Sequence, residues 1–268
     1  MGEGGLSSEM SATATVAYTL TISAGANGTV NTGGTYNSGT AQTITATPNA
    51  IYTFSSWSGS TGCGGVASHT ITMDANKSCT ANFTLGADWL TIGTQFWAKT
   101  NLNVGTMVTG VTTQTNNSIL EKYCYSDTES NCTAYGGLYQ WDEAMQYVTT
   151  EGAQGICPTG SHIPTDNDWK ILEVQLGMTQ AQADATGWRG TDQGTQLKTG
   201  GSSGLNMPLA GYRGTDGSFY GPSSIARLWS SSESSTSAWY RYLHPGYANV
   251  YRDTNGKANG FSVRCLGN

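Results

Sequence analysis

The 268-residue chain reads as an α+β protein of two domains. Three observations predict this class. From Tyr18 to Thr84, short runs alternate apolar and polar residues between Gly, Asn and Pro, which is strand periodicity with turn punctuation. Further on, two phrases carry apolar residues at helical spacing. The composition, with 36 Gly and 14 Tyr and only 11% charged residues, favours strands, turns and loops for the remainder.

Residues 1–16 open with "MGEGGLSSEM", which lacks the basic and apolar parts of a signal peptide and is expected to be a trimmed, unstructured tail. Residues 17–85 form the first domain, a small all-β module built from "YTLTIS", "QTITATP", "YTFSSWSG", "SHTITMD" and "SCTANFT". Cys63 and Cys79 flank a hairpin in it and are placed to staple it. Composition shifts around Leu85 to Asp88, and residues 86–268 form the second domain. It opens with strand-like "FWAKTNLNVG". In "YQWDEAMQYV", Trp141, Ala144, Met145 and Val148 share one helical face. In "PTDNDWKILEVQLG", Thr165 caps a second helix while Asp168 reaches back as in a capping box, and Trp169, Leu172 and Leu176 form the buried stripe. After Gly187 turns and short strands return. The chain closes on "GFSVRC", where Phe261, Val263 and Cys265 alternate with Ser262 and Arg264 as in a half-buried strand.

Charge and cysteines narrow the setting. A net charge of −6 with few clustered Lys or Arg works against a phosphate-backbone partner, so no nucleic acid is expected. No apolar run is long enough to span a bilayer. Six cysteines without a C-x-x-C pair read as disulfides rather than a zinc or redox site, which points to an extracellular or cell-surface protein.

Two resemblances add to this reading. "YTLTISAGANGTVNTGG" followed by "ITATPNAIYTFSSWSG" resembles the divergent B-repeat modules of bacterial and archaeal surface proteins, which serve as spacers or stalk units. From Trp97 to Cys265, the phrases "YCYSDTESNCTAYGGLYQWDEAM", "GICPTGSHIPTDNDWKILE", "GWRGTDQGTQLK", "GYRGTDGSFY", "LWSSSESSTSAWYRYL" and "GFSVRC" resemble, in order, the Fibrobacter succinogenes major paralogous domain, a branch of the C-type lectin-like fold. One departure is Ser161, where that family usually places Trp before the His. The resemblance implies two helices beside antiparallel sheets, pairing of Cys124 with Cys132 and of Cys157 with Cys265, and a ligand-binding face on the last strands.

Catalysis and metal binding find little support. His69, His162 and His244 are the only histidines, and none sits in a hydrolase motif. Related lectin-like folds include the formylglycine-generating enzymes, yet the pairing that the resemblance implies gives every cysteine of the second domain a disulfide partner, so no thiolate is expected for such chemistry. A glycan-active enzyme would need paired carboxylates, and Asp142 with Glu143 and Asp166 with Asp168 are explained by helix capping and solvation. "TDNDW" has residue types for oxygen ligation, but helix capping accounts for it, and the triplets by which lectins of this fold hold sugar through calcium are absent. No catalytic residue, metal or cofactor is expected.

The candidate site is the run before "GFSVRC". Between Arg241, Leu243, Val250, Arg252, Lys257 and Gly260, which match the family's framework, lie Tyr240, Tyr242, His244, Pro245, Gly246, Tyr247, Ala248, Asn249, Tyr251, Asp253, Thr254, Asn255, Gly256, Ala258 and Asn259. Tyr, Gly and Asn are residues that paratopes favour. Domains with such a terminus also resemble targets of diversity-generating retroelements, whose randomised adenines in Asn codons cannot yield Trp, Met, Gln, Lys or Glu. None of those five occurs at the fifteen positions. The expectation is a receptor or adhesin, not an enzyme, holding a protein or surface glycan on Tyr240, Tyr242, Tyr247 and Tyr251, so that truncating all four abolishes binding and spares stability. Trp229 and Trp239 are expected inside. A fixed-specificity structural or adhesive surface protein is the alternative. The oligomeric state stays open, a monomer among the options.

Overall fold

The structure, a computed structural model, describes residues 15–268. Nearly all of the expected tail therefore lies outside the described residues; at its edge, the Val16 carbonyl accepts a hydrogen bond from the Ser38 amide (2.7 Å). The chain forms two compact units that meet in sequence at Thr84 and Leu85.

The N-terminal unit holds a four-stranded sheet and a three-stranded sheet. Ala17–Ala24 is central to the first, antiparallel to Gly34–Asn37 and parallel to Lys77–Leu85; Ala41–Pro48 is central to the second. Leu20 and Ile44 from these strands, Trp57 from Tyr52–Gly59, Ile71 from Ser68–Thr72 and Met73 just after it gather in one core around the Cys63–Cys79 disulfide.

The C-terminal unit overturns the α+β expectation. The chain is mostly β, with several sheets and five short α-helices among the described residues, and the two-helix lectin-like architecture is not what it shows. Local chemistry explains the lost helix. The stripe in "YQWDEAMQYV" yields only Trp141–Ala144, because Gln146 and Tyr147 turn left-handed (φ 52° and 60°). Buried Glu143 fixes that turn: its carboxylate accepts from the Glu121 amide (2.8 Å) and the Tyr147 hydroxyl (2.6 Å). The second helix forms over Asp166–Gln175, with Thr165 accepting from the Asp168 amide and Asp168 from the Thr165 amide.

The main sheet has eight strands. Across its C-terminal half, Phe261–Ser262, Ala226–Ser234, Ser237–Leu243, Val250–Gly256 and Gly187–Arg189 follow in spatial order. One side packs on the Asp166–Gln175 helix through Trp169, Leu172, Leu228, Leu243 and Val250. The other builds a second core in which Trp229 stacks on Phe261 at 4.1 Å beside Tyr240 and Trp141. Disulfides join Cys124 to Cys132 and Cys157 to Cys265.

The terminal segment is held on several sides. Arg264 is fully buried and donates to Asn101 Oδ1, the Ala98 carbonyl and the Leu205 carbonyl; burial lowers its pKa to about 9. His162 touches Asn268 (2.6 Å) and Asp168 (3.3 Å). The Asp168 hydrogen bond, then that of Asn268, raises the His162 pKa against the opposing effect of burial; burial would raise Asp168, but His162 and Thr165 bring it below the usual range. The raised histidine stabilises fully below about pH 6.5 and loses its contribution as pH climbs through its folded pKa; the depressed aspartate contributes above about pH 4 and loses it on acidification. Thermal melts from pH 6 to 9 are expected to show a decline of below about 1 kcal/mol, since the pair keeps some contact with solvent and its His–Asp hydrogen bond is long at 3.3 Å, and His162→Gln should flatten it. A decline unchanged in that variant would assign it to another group.

Candidate partner-binding face

The face is underpinned by buried charge. On the helix side of the sheet, Asp166 accepts from Arg241 (2.8 Å) and twice from Arg252 (2.8 and 2.6 Å), while Glu173 accepts from Arg241 (2.7 Å) and Arg189 (2.6 Å). Burial alone would raise the Asp166 pKa, but Arg252 and Arg241 outweigh it and hold the carboxyl well below the usual range. Burial lowers Arg189 to about 10 despite the Glu173 charge. Three neighbouring strands are thus clamped to one helix, and strand alternation forces their next residues to the opposite side.

That opposite side carries a row of residues in register. Arg227 pairs with Tyr242, Tyr242 with Tyr251, and Tyr251 with Trp188, so one line crosses four strands. Trp188 lies at the centre of an aromatic cluster. Tyr247 stacks on it at 4.3 Å, and Tyr242 and Tyr251 meet it at 5.2 and 5.3 Å. His244 adds an edge contact to Tyr247. At the other end, the Arg227 guanidinium lies 3.7 Å over the Tyr212 ring.

The loop that carries Tyr247 is held from below. Lys198 Nζ donates to the His244 and Tyr247 carbonyls (2.9 and 2.8 Å), and the Thr195 amide donates to the Ala248 carbonyl. Gly194 lets the loop come this close: a Cβ there would stand 2.2 Å from the Asn249 carbonyl oxygen.

The fifteen sequence-predicted positions divide along the strand. Tyr242, His244, Pro245, Gly246, Tyr247, Ala248, Asn249 and Tyr251 gather around the aromatic cluster, while Asn255, Gly256, Ala258 and Asn259 lie at the far end of Val250–Gly256 or beyond it. Asp253 accepts from the Tyr251 hydroxyl (3.1 Å) and the Thr254 amide (2.8 Å). Thr254 alternates to the helix side with Arg252. Framework residues Arg241, Leu243, Val250, Arg252 and Gly260 are buried. Tyr240 departs from the expectation. It is only 5% exposed, packed against Phe261 (5.4 Å) in the core, so truncating it is a core mutation and not a surface one. Trp229 is buried as expected, whereas Trp239 is half-buried under the Arg252 guanidinium.

Sequence reasoning missed Trp188, Tyr212 and Arg227. The alternation of "ARLWS" was a usable signal for Arg227, since Ala226 and Leu228 face the helix. Among the residues weighed for catalysis or metal, Glu143, Asp166 and Asp168 are engaged in the contacts above.

The sequence that carries these elements matches a known family. The family model described as Fibrobacter succinogenes major domain spans residues 90–266, two thirds of the chain. The chain belongs to that family. A second model, the divergent InlB B-repeat domain, spans residues 18–87. The Fibrobacter succinogenes major domain therefore covers both the charged clamp and the aromatic row, and the B-repeat precedes it. No curated protein and no solved structure matches the chain. The two domains suggest a surface or adhesion-like protein, and three disulfides are consistent with a secreted or surface location. Among the described residues, no helix is long and apolar enough to cross a membrane.

Proposed function

We propose that the protein is a non-enzymatic receptor or adhesin that holds a protein or surface glycan on the face formed by Tyr242, Tyr247, Tyr251 and Trp188, and that a retroelement diversifies the run from Tyr240 to Asn259. The observation that carries the reading is the aromatic row lying directly over a buried charged clamp. A rigid scaffold carrying aromatic residues on one surface supplies contact area at low entropic cost. Trp, Tyr and Arg are also the residue types that dominate binding energy in interfaces. Diversification is supported by the separation of roles along the run: the framework side chains of Arg241, Leu243, Val250 and Arg252 are buried while Lys257 is half-buried and pairs with Glu233, and most of the fifteen positions are not buried. The missing Trp, Met, Gln, Lys and Glu at those positions fit adenine-directed change.

Two experiments test this. Sequencing the flanking DNA should reveal a reverse transcriptase and a near-copy of the last codons differing only at adenines; their absence favours a fixed-specificity adhesive surface protein. On protein and glycan arrays, Tyr247→Ala should weaken binding at least about tenfold, as expected of a central aromatic contact. Because Tyr247 is 47% exposed, its melting temperature should stay near that of the parent. Unchanged binding in Tyr247→Ala and Trp188→Ala would remove the face from consideration.

A further inference from the structure

We infer that Arg227 is a carboxylate receptor on this face, and that the partner is a protein which presents an aspartate or glutamate side chain to it. This rests on the reading of the face given above. The other arginines are all engaged: Arg189, Arg241 and Arg252 by carboxylates, Arg213 by the Gly110 and Ala258 carbonyls, and Arg264 by Asn101 and two carbonyls. Arg227 is different. Arg189 Nε and Arg264 Nη2 are, like its Nε, buried without a hydrogen-bond partner, but those two arginines donate through their other nitrogens, whereas among the described residues the Arg227 guanidinium has only aromatic company. Tyr212 lies at 3.7 Å, with Phe261, Tyr242 and Tyr240 at 5.3, 5.6 and 5.8 Å.

A cation held among rings is partly stripped of water and keeps unmet donors, which is costly in the free protein. An incoming carboxylate meets the outer Nη1 and Nη2 edge of the planar fork with two parallel charge-assisted hydrogen bonds and neutralises the partly desolvated cation, which offsets part of that cost. Asp253, on the same side of the sheet in the strand that carries Tyr251, is otherwise occupied, since it is held by Tyr251 and Thr254. Complementarity thus calls for a negative group from outside, although the chain itself carries a net −6. One cation without clustered Lys or Arg does not suit a polyphosphate backbone. A sugar ring needs an open aromatic face, and Tyr247 already covers one side of Trp188. Surface-to-surface contact with an acidic protein uses the row as it stands.

The test is an array of synthetic peptides in matched pairs, each Asp or Glu peptide beside its Asn or Gln counterpart, with uronic-acid oligosaccharides alongside, read with the labelled full chain. The parent is expected to prefer acidic members about tenfold, a conservative figure for a hydrogen bond to a charged group. Arg227→Gln should level each pair. Arg227→Lys keeps the charge and the aliphatic stem without the fork, and should fall between the two; thermal melts of both variants confirm that they fold. Trp188→Ala should weaken acid and amide members alike. Binding without acid preference, or a preference that survives Arg227→Gln, overturns the role of Arg227 and leaves the face standing. Binding confined to the oligosaccharides overturns the protein partner. Binding to no member overturns this inference and the reading beneath it.

Discussion

Asp166→Asn is expected to destabilise the C-terminal unit by about 3–5 kcal/mol, the cost of breaking a buried ion pair from one side. The substitution keeps the volume of the side chain but removes its charge and turns one of its two acceptor oxygens into an amide donor. Arg241, which is fully buried, and Arg252, which is 5% exposed, then lose the carboxylate that neutralises both. Glu173 remains for Arg241, but Arg252 keeps at most one of its two hydrogen bonds to this side chain and loses its carboxylate counter-charge, with only the Asp184 and Ala185 carbonyls besides. Urea unfolding should show a lower midpoint at an unchanged slope. The pH dependence supplies a second reading. Asp166 has a folded pKa held below its unfolded value, so its stabilisation is present above about pH 4 and is lost as pH falls toward the folded pKa. That acid slope should shrink in Asp166→Asn. A loss under about 1 kcal/mol, less than typical for an unmet buried group, would show that apolar packing alone holds the three strands on the helix.

The contrast between Arg241 and Tyr242, or Arg252 and Tyr251, shows what sequence could supply. Period-two alternation separates clamp from face within each strand. It cannot say which distant strand lies alongside, so Trp188 and Arg227 joined the row only once pairing was known. Tyr240 shares the parity of Tyr242, and parity alone made both look alike. Tertiary cover divides them, because Phe261 and Trp229 close over Tyr240. The capping box at Thr165 was legible because it is a local device four residues long. The stripe from Trp141 to Val148 misled for the opposite reason. Glu143 there serves the distant Glu121 amide, and the left-handed turn at Gln146 and Tyr147 overrides the helical spacing. Two of the disulfide pairings were implied by family resemblance rather than spacing, and all three bridges are present.

Replacing Cys157 and Cys265 by Ser is expected to cost about 5 kcal/mol in the chain-entropy account, because this bridge spans 108 residues. The Cys124–Cys132 bridge spans 8 residues, and the same relation gives about 2.5 kcal/mol. Comparing the two double variants by urea unfolding therefore separates loop closure from local packing. A difference near twofold supports closure; equal losses would assign the effect to contacts around each bridge. Hydrogen bonds from the Ala98 amide to the Cys265 carbonyl and from the Leu102 amide to the Val263 carbonyl remain available without the sulfurs, so the terminal segment is not wholly released. The consequence reaches the face through Phe261. Its ring supports Trp229 and Tyr240 and stands 5.3 Å from the Arg227 guanidinium. If the bridge fixes that ring, partner binding should weaken in the double variant even well below its melting temperature. Binding that persists until the unit unfolds would instead place the fixing contacts in the pairing of Phe261–Ser262 with Leu138–Tyr139 and Leu228.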